Sequence, residues 1–422
     1  MPTARLRRSC STIGSPMRYG NTPSSICGLT ADGDTIEMQW ALAILGFMFF
    51  WSTLVVLGGL AVEIMRRLRR CSRKEALDEG RAGTKFVCVI CAHNEEKVIT
   101  RPINSILAAK YPANLRDIVV LADNCTDKTA LLAASMPGVR VLEKNTLSSG
   151  KGDVLAWGLD KISGEGYDAI AIFDADNEVD SDWFLQMDSQ LRSGVQVATG
   201  HRMSLNPFAN IITGWYTVYW NLMNELSNRV RGNLNLSSML TGTGFCFKTS
   251  VLPPEGWRTR TFVEDLEFAF FCNLDDCRVS YVPDAVFYDE QPVSVRPMFR
   301  QLCRWATGGL QIVRYYCWRW LKALFKRPSL RLFDCFSIIT LGACGSVLLL
   351  LNVVALNWKF GLWFLFFSWA SAALSTLLSR YSLRALIFPV STFPVFTLIL
   401  SFTVLYSIVL PQRTWKPIEH GN

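Results

Sequence analysis

The chain has 422 residues, half of them apolar, with 14 Trp, 26 Phe, a formal net charge of +8 and a mean hydropathy of +0.21. That length leaves room for two or three domains, and basic residues gathered beside apolar segments favour a membrane surface over nucleic acid. Thirteen cysteines, an odd number mostly in or beside apolar segments, argue against a disulfide framework and read as reduced thiols. The one CxxC, Cys88–Cys91, lies in an apolar strand pattern that points its sulfurs to opposite faces. With three histidines in the chain, no zinc site is expected.

Residues 1–37 are polar, without periodicity, and read as a disordered or loosely packed tail. They are not a signal peptide, because no apolar core follows the first arginines. Residues 38–65 read as a transmembrane helix, uncharged from Met38 to Val62. The basic run Met65–Arg70, with Arg73 and Lys74, marks its cytoplasmic end and places the amino terminus outside an inner (plasma) membrane.

Residues 85–297 read as a cytoplasmic α/β domain. Buried-strand patterns fall at Phe86–Cys91, Ile118–Ala122, Val139–Leu142, Ala169–Phe173, Val195–Thr199, Gly244–Phe247 and Val279–Val282. Helical patterns between them, as at Glu96–Lys110 and Asp153–Ile162, predict a mainly parallel sheet covered on both faces. Two aromatic stretches, Phe208–Leu226 and Met298–Trp320, read either as helices in the lipid headgroup layer or as core helices. The basic face of the second favours an interfacial region over 298–331. Residues 332–412 hold three further spanning runs, Cys335–Trp358, Phe360–Ser379 and Ala385–Gln412, the last carrying Pro389 and Pro394 as expected kinks. A tail, 413–422, would lie outside, or inside if one late run is re-entrant.

The chemistry gathers at strand ends. The pattern Asp168–Asp180 is a buried strand that ends in acid. Asp174 and Asp176 point to one side, as a divalent-cation site open to phosphate requires, with an Asp-rich turn as the bland alternative. Strand one ends in Cys91-Ala92-His93-Asn94-Glu95-Glu96, where polar groups could meet a base or ribose, or where Asn94 could cap a helix. The next strand ends in Asp123 and, in the same loop, Asp127, which could serve a ribose or the loop itself. Ser149-Gly150-Lys151-Gly152-Asp153 suits a phosphate but lacks the pattern of a Walker loop. In Phe262–Glu267, Glu264 or Asp265 could take a proton from an attacking hydroxyl. Gln301, Arg304 and Trp305 share one helical face, a guanidinium beside a stacking ring.

Taken together, Asp123, Asp174-x-Asp176, Glu264-Asp265-x-Glu267 and Gln301-x-x-Arg304-Trp305 resemble the membrane-embedded family 2 glycosyltransferases. These include the processive hyaluronan, chitin and cellulose synthases. HNEE, ADNCTD, GKG, FDADN, TGTGF, YDEQP and the terminal Trp415–His420 resemble a bacterial branch of that family.

The resemblance implies a GT-A fold and inverting transfer from a UDP-sugar to a growing β-linked polysaccharide, coupled to export. A single transfer to a lipid carrier and a non-catalytic scaffold are the alternatives, and a homodimer is one way to build a channel. Asp265 would be the base, with Glu264 beside it, and Asp176 with Asp174 would hold Mn2+ or Mg2+. Donor contacts would come from Ala92, His93, Asn94, Glu95, Asp123, Lys151, Asp174, Gln301, Arg304 and Trp305. Acceptor contacts would come from Thr243, Gly244, Phe245 and Trp305. Val263 departs from the Thr that usually precedes the Glu-Asp pair.

Overall fold

In the computed structural model, residues 30–69, 82–148, 150–342 and 358–412 are described. The chain divides into two compact units, Met1–Gly46 and Phe47–Asn422. In the first, the described residues are helical, because α1 runs Thr30–Arg69. Its start at Thr30 lies ahead of the expected Met38, so the polar stretch Thr30–Glu37 is helix rather than loose tail.

The second unit is built on an eight-stranded sheet. Its strands are β1 Phe86–Ala92, β2 Arg116–Asp123, β3 Val139–Lys144, β4 Ala169–Asp174, β5 Glu178–Val179, β6 Val197–Ser204, β7 Phe245–Lys248 and β8 Val279–Asp289. The order is β3-β2-β1-β4-β7-β6-β8-β5. The first four strands in that order are parallel, β7 runs antiparallel to both its neighbours, and β6 and β8 are again parallel. All seven expected strands are present, and β5, two residues long, carries too little pattern to be read from sequence.

Alternation along the strands divides the core. Phe86, Cys88 and Ile90 of β1, with Ala171 and Phe173 of β4, pack on one side against α2 (Thr100–Ala108) and α5 (Trp183–Arg192). Trp183, fully buried, meets the Phe173 ring edge-on at 4.9 Å. Val87, Val89, Ile170 and Ile172 face α4 (Lys151–Lys161) and α8 (Glu264–Leu274) on the other side. Cys88 and Cys91 accordingly sit on opposite faces, as free thiols. A helix expected from Glu96 starts only at Thr100. The reason is local: the Glu95 and Glu96 amides are taken by Thr129 Oγ1 (2.7 Å) and Asp127 Oδ2 (3.1 Å), and Asn94 adopts φ +57°.

Below the sheet, α6 (Ile211–Asn221) runs into a π-helical stretch, Leu222–Arg229, and then α7 (Val230–Asn233). Tyr216 and Val218 are fully buried, and the Trp215 indole donates to Thr392 Oγ1 at 2.9 Å. Phe208–Leu226 therefore packs largely against the protein's own helices. The long α9 (Val295–Lys326) buries Met298, Leu302 and Ile312 and exposes Tyr315, Trp318 and Phe325. It is followed by α10 (Leu330–Thr340), α11 (Trp358–Leu378) and α12 (Ile387–Val409).

Among the described residues three segments are long and apolar enough to cross a membrane: Ala43–Arg66, Gly361–Leu378 and Ile387–Val409. The expected run Cys335–Trp358 begins in α10, and its residues 343–357 lie outside the described residues, as does Trp415–His420. Pro389 falls in the first turn of α12, where no intrahelical donor is lost, and Pro394 lies inside the helix.

Gly244 leads into β7 with φ +64°, and a Cβ there would strike the Phe287 ring. Gly244→Ala is expected to destabilise the fold by about 2 kcal/mol or more, combining left-handed strain with overpacking. Thermal unfolding of the purified protein in detergent measures this, and an unchanged midpoint would contradict it.

Candidate active site

In a parallel sheet ordered 3-2-1-4, chain crossovers leave β1 to opposite sides, and a crevice opens at the carboxyl ends of β1 and β4. Cys91 pairs with Asp174 across that point. A cavity of about 490 Å³ opens there. It is lined by Ala92, His93, Glu95, Asp123, Lys151, Asp174 and Asp176 on one side, and by Glu264, Asp265, Gln301, Arg304 and Trp305 on the other. Most of the positions that the sequence singles out for chemistry thus meet in this one space.

Asn94 does not line the cavity. Its Oδ1 accepts from the Thr126 amide at 2.7 Å and ties two strand-end loops together. Asp127 serves its own loop, accepting from the Thr129 amide (3.0 Å) and the Glu96 amide (3.1 Å). Burial opposes its ionisation, but these bonds outweigh burial and hold its carboxyl below the usual range. Thr243, Gly244 and Phe245 sit behind the cavity wall. Thr243 Oγ1 accepts from the Asp174 amide at 2.9 Å, Gly244 abuts Phe287, and Phe245 is core. The wall in front of them is formed by Leu240, Thr241 and Gly242.

Lys151 joins the two halves of the site. Its Nζ donates to Asp174 Oδ1 and to the Gly242 carbonyl (2.7 Å), and lies 3.7 Å from Glu264 Oε1. Burial alone would lower its pKa, but the carboxylates of Asp174 and Glu264 outweigh burial and keep the ammonium charged. The glycine after it has a packing role, since a Cβ on Gly152 would collide with Thr259 Oγ1 and press on Glu264 Cβ at 3.3 Å.

Glu264 and Asp265 occupy the first turn of α8, where amide groups and the helix dipole favour negative charge. Both are nevertheless buried, and burial dominates: it lifts Glu264 to about 7, with Lys151 opposing and Asp265 adding to the rise. Burial also raises Asp265. Two neighbouring buried acids titrate as a pair, so the proton taken up near neutrality belongs to the pair. Glu267 plays a structural part instead. It accepts from the Arg260 and Thr261 amides (2.8 and 2.7 Å) and from the Tyr316 hydroxyl (2.5 Å), pinning α8 to α9.

Beneath Asp174 lies a buried polar layer that sequence reasoning left without a role. Asn177 Oδ1 accepts from the Asp174 amide (2.9 Å), and its Nδ2 donates to Asp289 (2.9 Å). Asp289 is in turn held by Arg202 and by Gln291 Nε2 (2.9 Å), and the Arg202 guanidinium lies 3.7 Å from the Trp220 ring centre. The available signal was an arginine inside an otherwise buried strand pattern, because such a charge must find a partner. Trp305 stacks on Tyr219 at 5.7 Å and meets Trp220 edge-on. Gln301 lines the cavity, and its Oε1 is buried with no hydrogen-bond partner among the described residues.

Among the described residues no cluster of three or more metal-ligating side chains occurs. Two carboxylates at a strand end still fit Mg2+ or Mn2+, which commonly keep water and substrate phosphates as their other ligands.

A Rossmann-like sheet with acids at its switch point, a buried acid pair opposite and an aromatic-guanidinium wall together frame one charged, partly aromatic cleft. The chain belongs to the glycosyltransferase like family 2, which matches residues 84–308. It is 22% identical over 263 residues to a poly-beta-1,6-N-acetyl-D-glucosamine synthase of Staphylococcus epidermidis, covering 60% of this chain and 61% of that protein. It is 25% identical over 303 residues to a beta-monoglucosyldiacylglycerol synthase of Synechocystis sp., covering 67% and 61%. The match thus spans about three fifths of each relative. Among solved structures, the mannosyltransferase PcManGT from Pyrobaculum calidifontis, in complex with GDP-Man and Mn2+, superposes with a TM-score of 0.53. That likeness covers 86% of this chain and 99% of that one at 16% identity, and it shows a shared fold.

Since Glu264 is lifted to about 7, kcat/KM is expected to fall as pH drops through neutrality and the acid pair takes up its first proton. In Glu264→Gln the limb near neutrality should vanish, leaving a lower one set by Asp265. A pH profile identical to the wild type would contradict this assignment.

Proposed function

We propose that this protein is an inverting glycosyltransferase that takes a sugar from a nucleoside diphosphate and joins it to an acceptor hydroxyl at the cytoplasmic face of a membrane. The observation that carries this is the cavity connecting Asp123, Lys151 and Asp174 to Asp265 and Trp305. Asp123 receives the base. Its Oδ1 already accepts from Asn124 Nδ2 (2.8 Å) and Ser148 Oγ (2.5 Å), which fixes the carboxylate's orientation. His93 Nδ1, 2.5 Å from the Asp123 carbonyl oxygen, holds the adjoining loop. Uridine as the base rests on the resemblance.

Lys151 and Arg304 stabilise the departing diphosphate, since positive charge placed where negative charge develops lowers the barrier. Asp174 and Asp176 would hold Mn2+ or Mg2+, which supplies further charge to that leaving group. Asp265 removes the acceptor proton as the acceptor oxygen attacks the anomeric carbon on the face opposite the diphosphate. One base suffices, unlike the paired carboxylates of a hydrolase. Val263, buried beside this base, lacks the hydroxyl of the usual Thr, so orientation of Asp265 falls to backbone amides, those of Leu266 and Gly242.

Two acceptor classes are represented among relatives, a polymer synthase and a glycolipid synthase. The Gln301–Trp305 motif, on a helix that leads towards the membrane-type segments, supports extension of a β-linked polymer with outward passage. The aliphatic far wall of the cavity favours a lipid.

The test uses purified protein in nanodiscs with Mn2+ and a panel of labelled nucleotide sugars, with product size read on gels. Product from one or two donors is expected, and Asp265→Asn should lower kcat by about 10²–10⁴-fold while changing donor KM little. Full activity in that variant would remove Asp265 as base. Chelation is expected to abolish turnover, and Asp176→Asn to raise the Mn2+ concentration for half-activity by about tenfold or more. Equal metal response in variant and wild type would argue against Asp176 as a ligand.

A further inference from the structure

The cavity continues past Trp305. Its far wall is made by Met223, Met239, Ile338, Ile339, Leu400 and Val404. These six come from the π-helical stretch, the segment before β7, α10 and α12, so four separate parts of the chain contribute aliphatic side chains to one end. Leu400 and Val404, at i and i+4, share a face of α12, one of the segments apolar enough to cross a membrane. On the same helix Phe402, Ile408 and Val409 are exposed. The far end of the cavity is therefore walled by a candidate membrane span and leads back to Asp265.

We propose that this far end is the acceptor slot, and that the acceptor is a neutral membrane lipid ending in an alcohol. Its hydrocarbon chain lies between α10 and α12 and its hydroxyl reaches Asp265. This rests on the reading of the site as a sugar-transfer centre. A polysaccharide brings several hydroxyls on each ring, and against methionine, isoleucine, leucine and valine these would lose water without gaining partners. Trp305, Tyr219 and Trp220 offer a sugar platform at one place, between the two ends of the cavity. Hydrocarbon gains from each methylene it buries along the far wall.

Charge selects among lipids. Of the lysine and arginine side chains that line the cavity among the described residues, Lys151 is paired with Asp174 and Glu264, and Arg202 with Asp289. Arg304 serves the donor diphosphate together with Lys151. A lipid phosphate in the acceptor place would face Glu264 and Asp265 with both nearby cations already committed to the donor and to these acids, so an uncharged alcohol fits and a polyprenyl phosphate does not. The step balances: the lipid oxygen bonds to the anomeric carbon and its proton passes to Asp265. The bond from that carbon to the diphosphate oxygen breaks with its electron pair, and the nucleoside diphosphate leaves.

The test places the full chain in phosphatidylcholine nanodiscs with Mn2+ and labelled nucleotide sugar. Dioleoylglycerol, dioctanoylglycerol and a polyprenyl phosphate are offered as separate acceptors. Label is expected in the glycerides. Leu400→Trp and Val404→Trp, which shorten the slot, should shift preference towards dioctanoylglycerol by about tenfold. Ile339→Ala should shift it the other way, with nucleotide-sugar affinity by calorimetry unchanged in all three. Misfolding lowers both glycerides together, so the ratio isolates the slot, and an unchanged ratio across the three variants overturns it. Label confined to polymer, or to polyprenyl phosphate, overturns the neutral-lipid acceptor and leaves sugar transfer standing. No nucleotide-sugar binding and no product from any donor removes the sugar-transfer reading, and this proposal with it.

Discussion

One buried ammonium organises this site. Lys151 is 12% exposed at its side chain and bridges carboxylates that arrive from different directions, Asp174 from the end of β4 and Glu264 from the start of α8. Isolated, the buried charges of Lys151 and Glu264 would each carry a desolvation cost of several kcal/mol; together, with Asp174 and the Gly242 carbonyl as further partners, they offset it. The bridge also fixes geometry. It holds the amino end of α4 against the strand end and keeps α8 at the same cavity, so the donor side and the base side are registered through one atom. A neutral side chain at this position would leave a buried acid, Glu264, and a half-buried one, Asp174, without their shared cation, which is why the lysine is structural before any phosphate arrives.

Around that bridge the layers divide the work. The parallel half of the sheet supplies strand ends, and with them Asp123 and Asp174. The antiparallel insertion of β7 closes the sheet beneath the acids and brings Thr243 under Asp174. A polar layer of Asn177, Asp289, Arg202 and Gln291 lies one step deeper and ends on the Trp220 ring. Helices α6, α9 and α12 then share one apolar cluster with Leu386 and part of α11, so the aromatic wall of the cavity is continuous with the membrane-type segments.

The strands were legible because each pairs a short apolar run with a turn signal, and burial on both faces leaves little else for such a run to do. The residues that gather at the cavity were legible for a related reason: charged groups at the ends of buried strands need partners, and they found each other. What periodicity could not tell was the identity of the neighbour. Phe208–Leu226 looks the same whether its apolar side meets lipid or protein, and only packing against α12 decides. Thr243, Gly244 and Phe245 are expected at the acceptor only from the resemblance, and at Gly244 the positive φ and the lack of a Cβ serve contact with Phe287. The start of α2 moved because two side chains from a distant loop took the amides of Glu95 and Glu96, a contact that no local pattern encodes.

The acid-bearing helix and the membrane-leading one come close together at a single glycine. A Cβ on Gly308 would lie 2.7 Å from Val263 Cγ2 and 3.0 Å from the Val263 amide nitrogen. Positions 263 and 308 therefore share a single parcel of volume. Valine and threonine have nearly the same shape and differ in polarity. The exchange at 263 thus leaves the fit against Gly308 intact while drying the ground next to the acid pair. Shape at this junction is a constraint on two residues jointly, whereas polarity is a freedom of one.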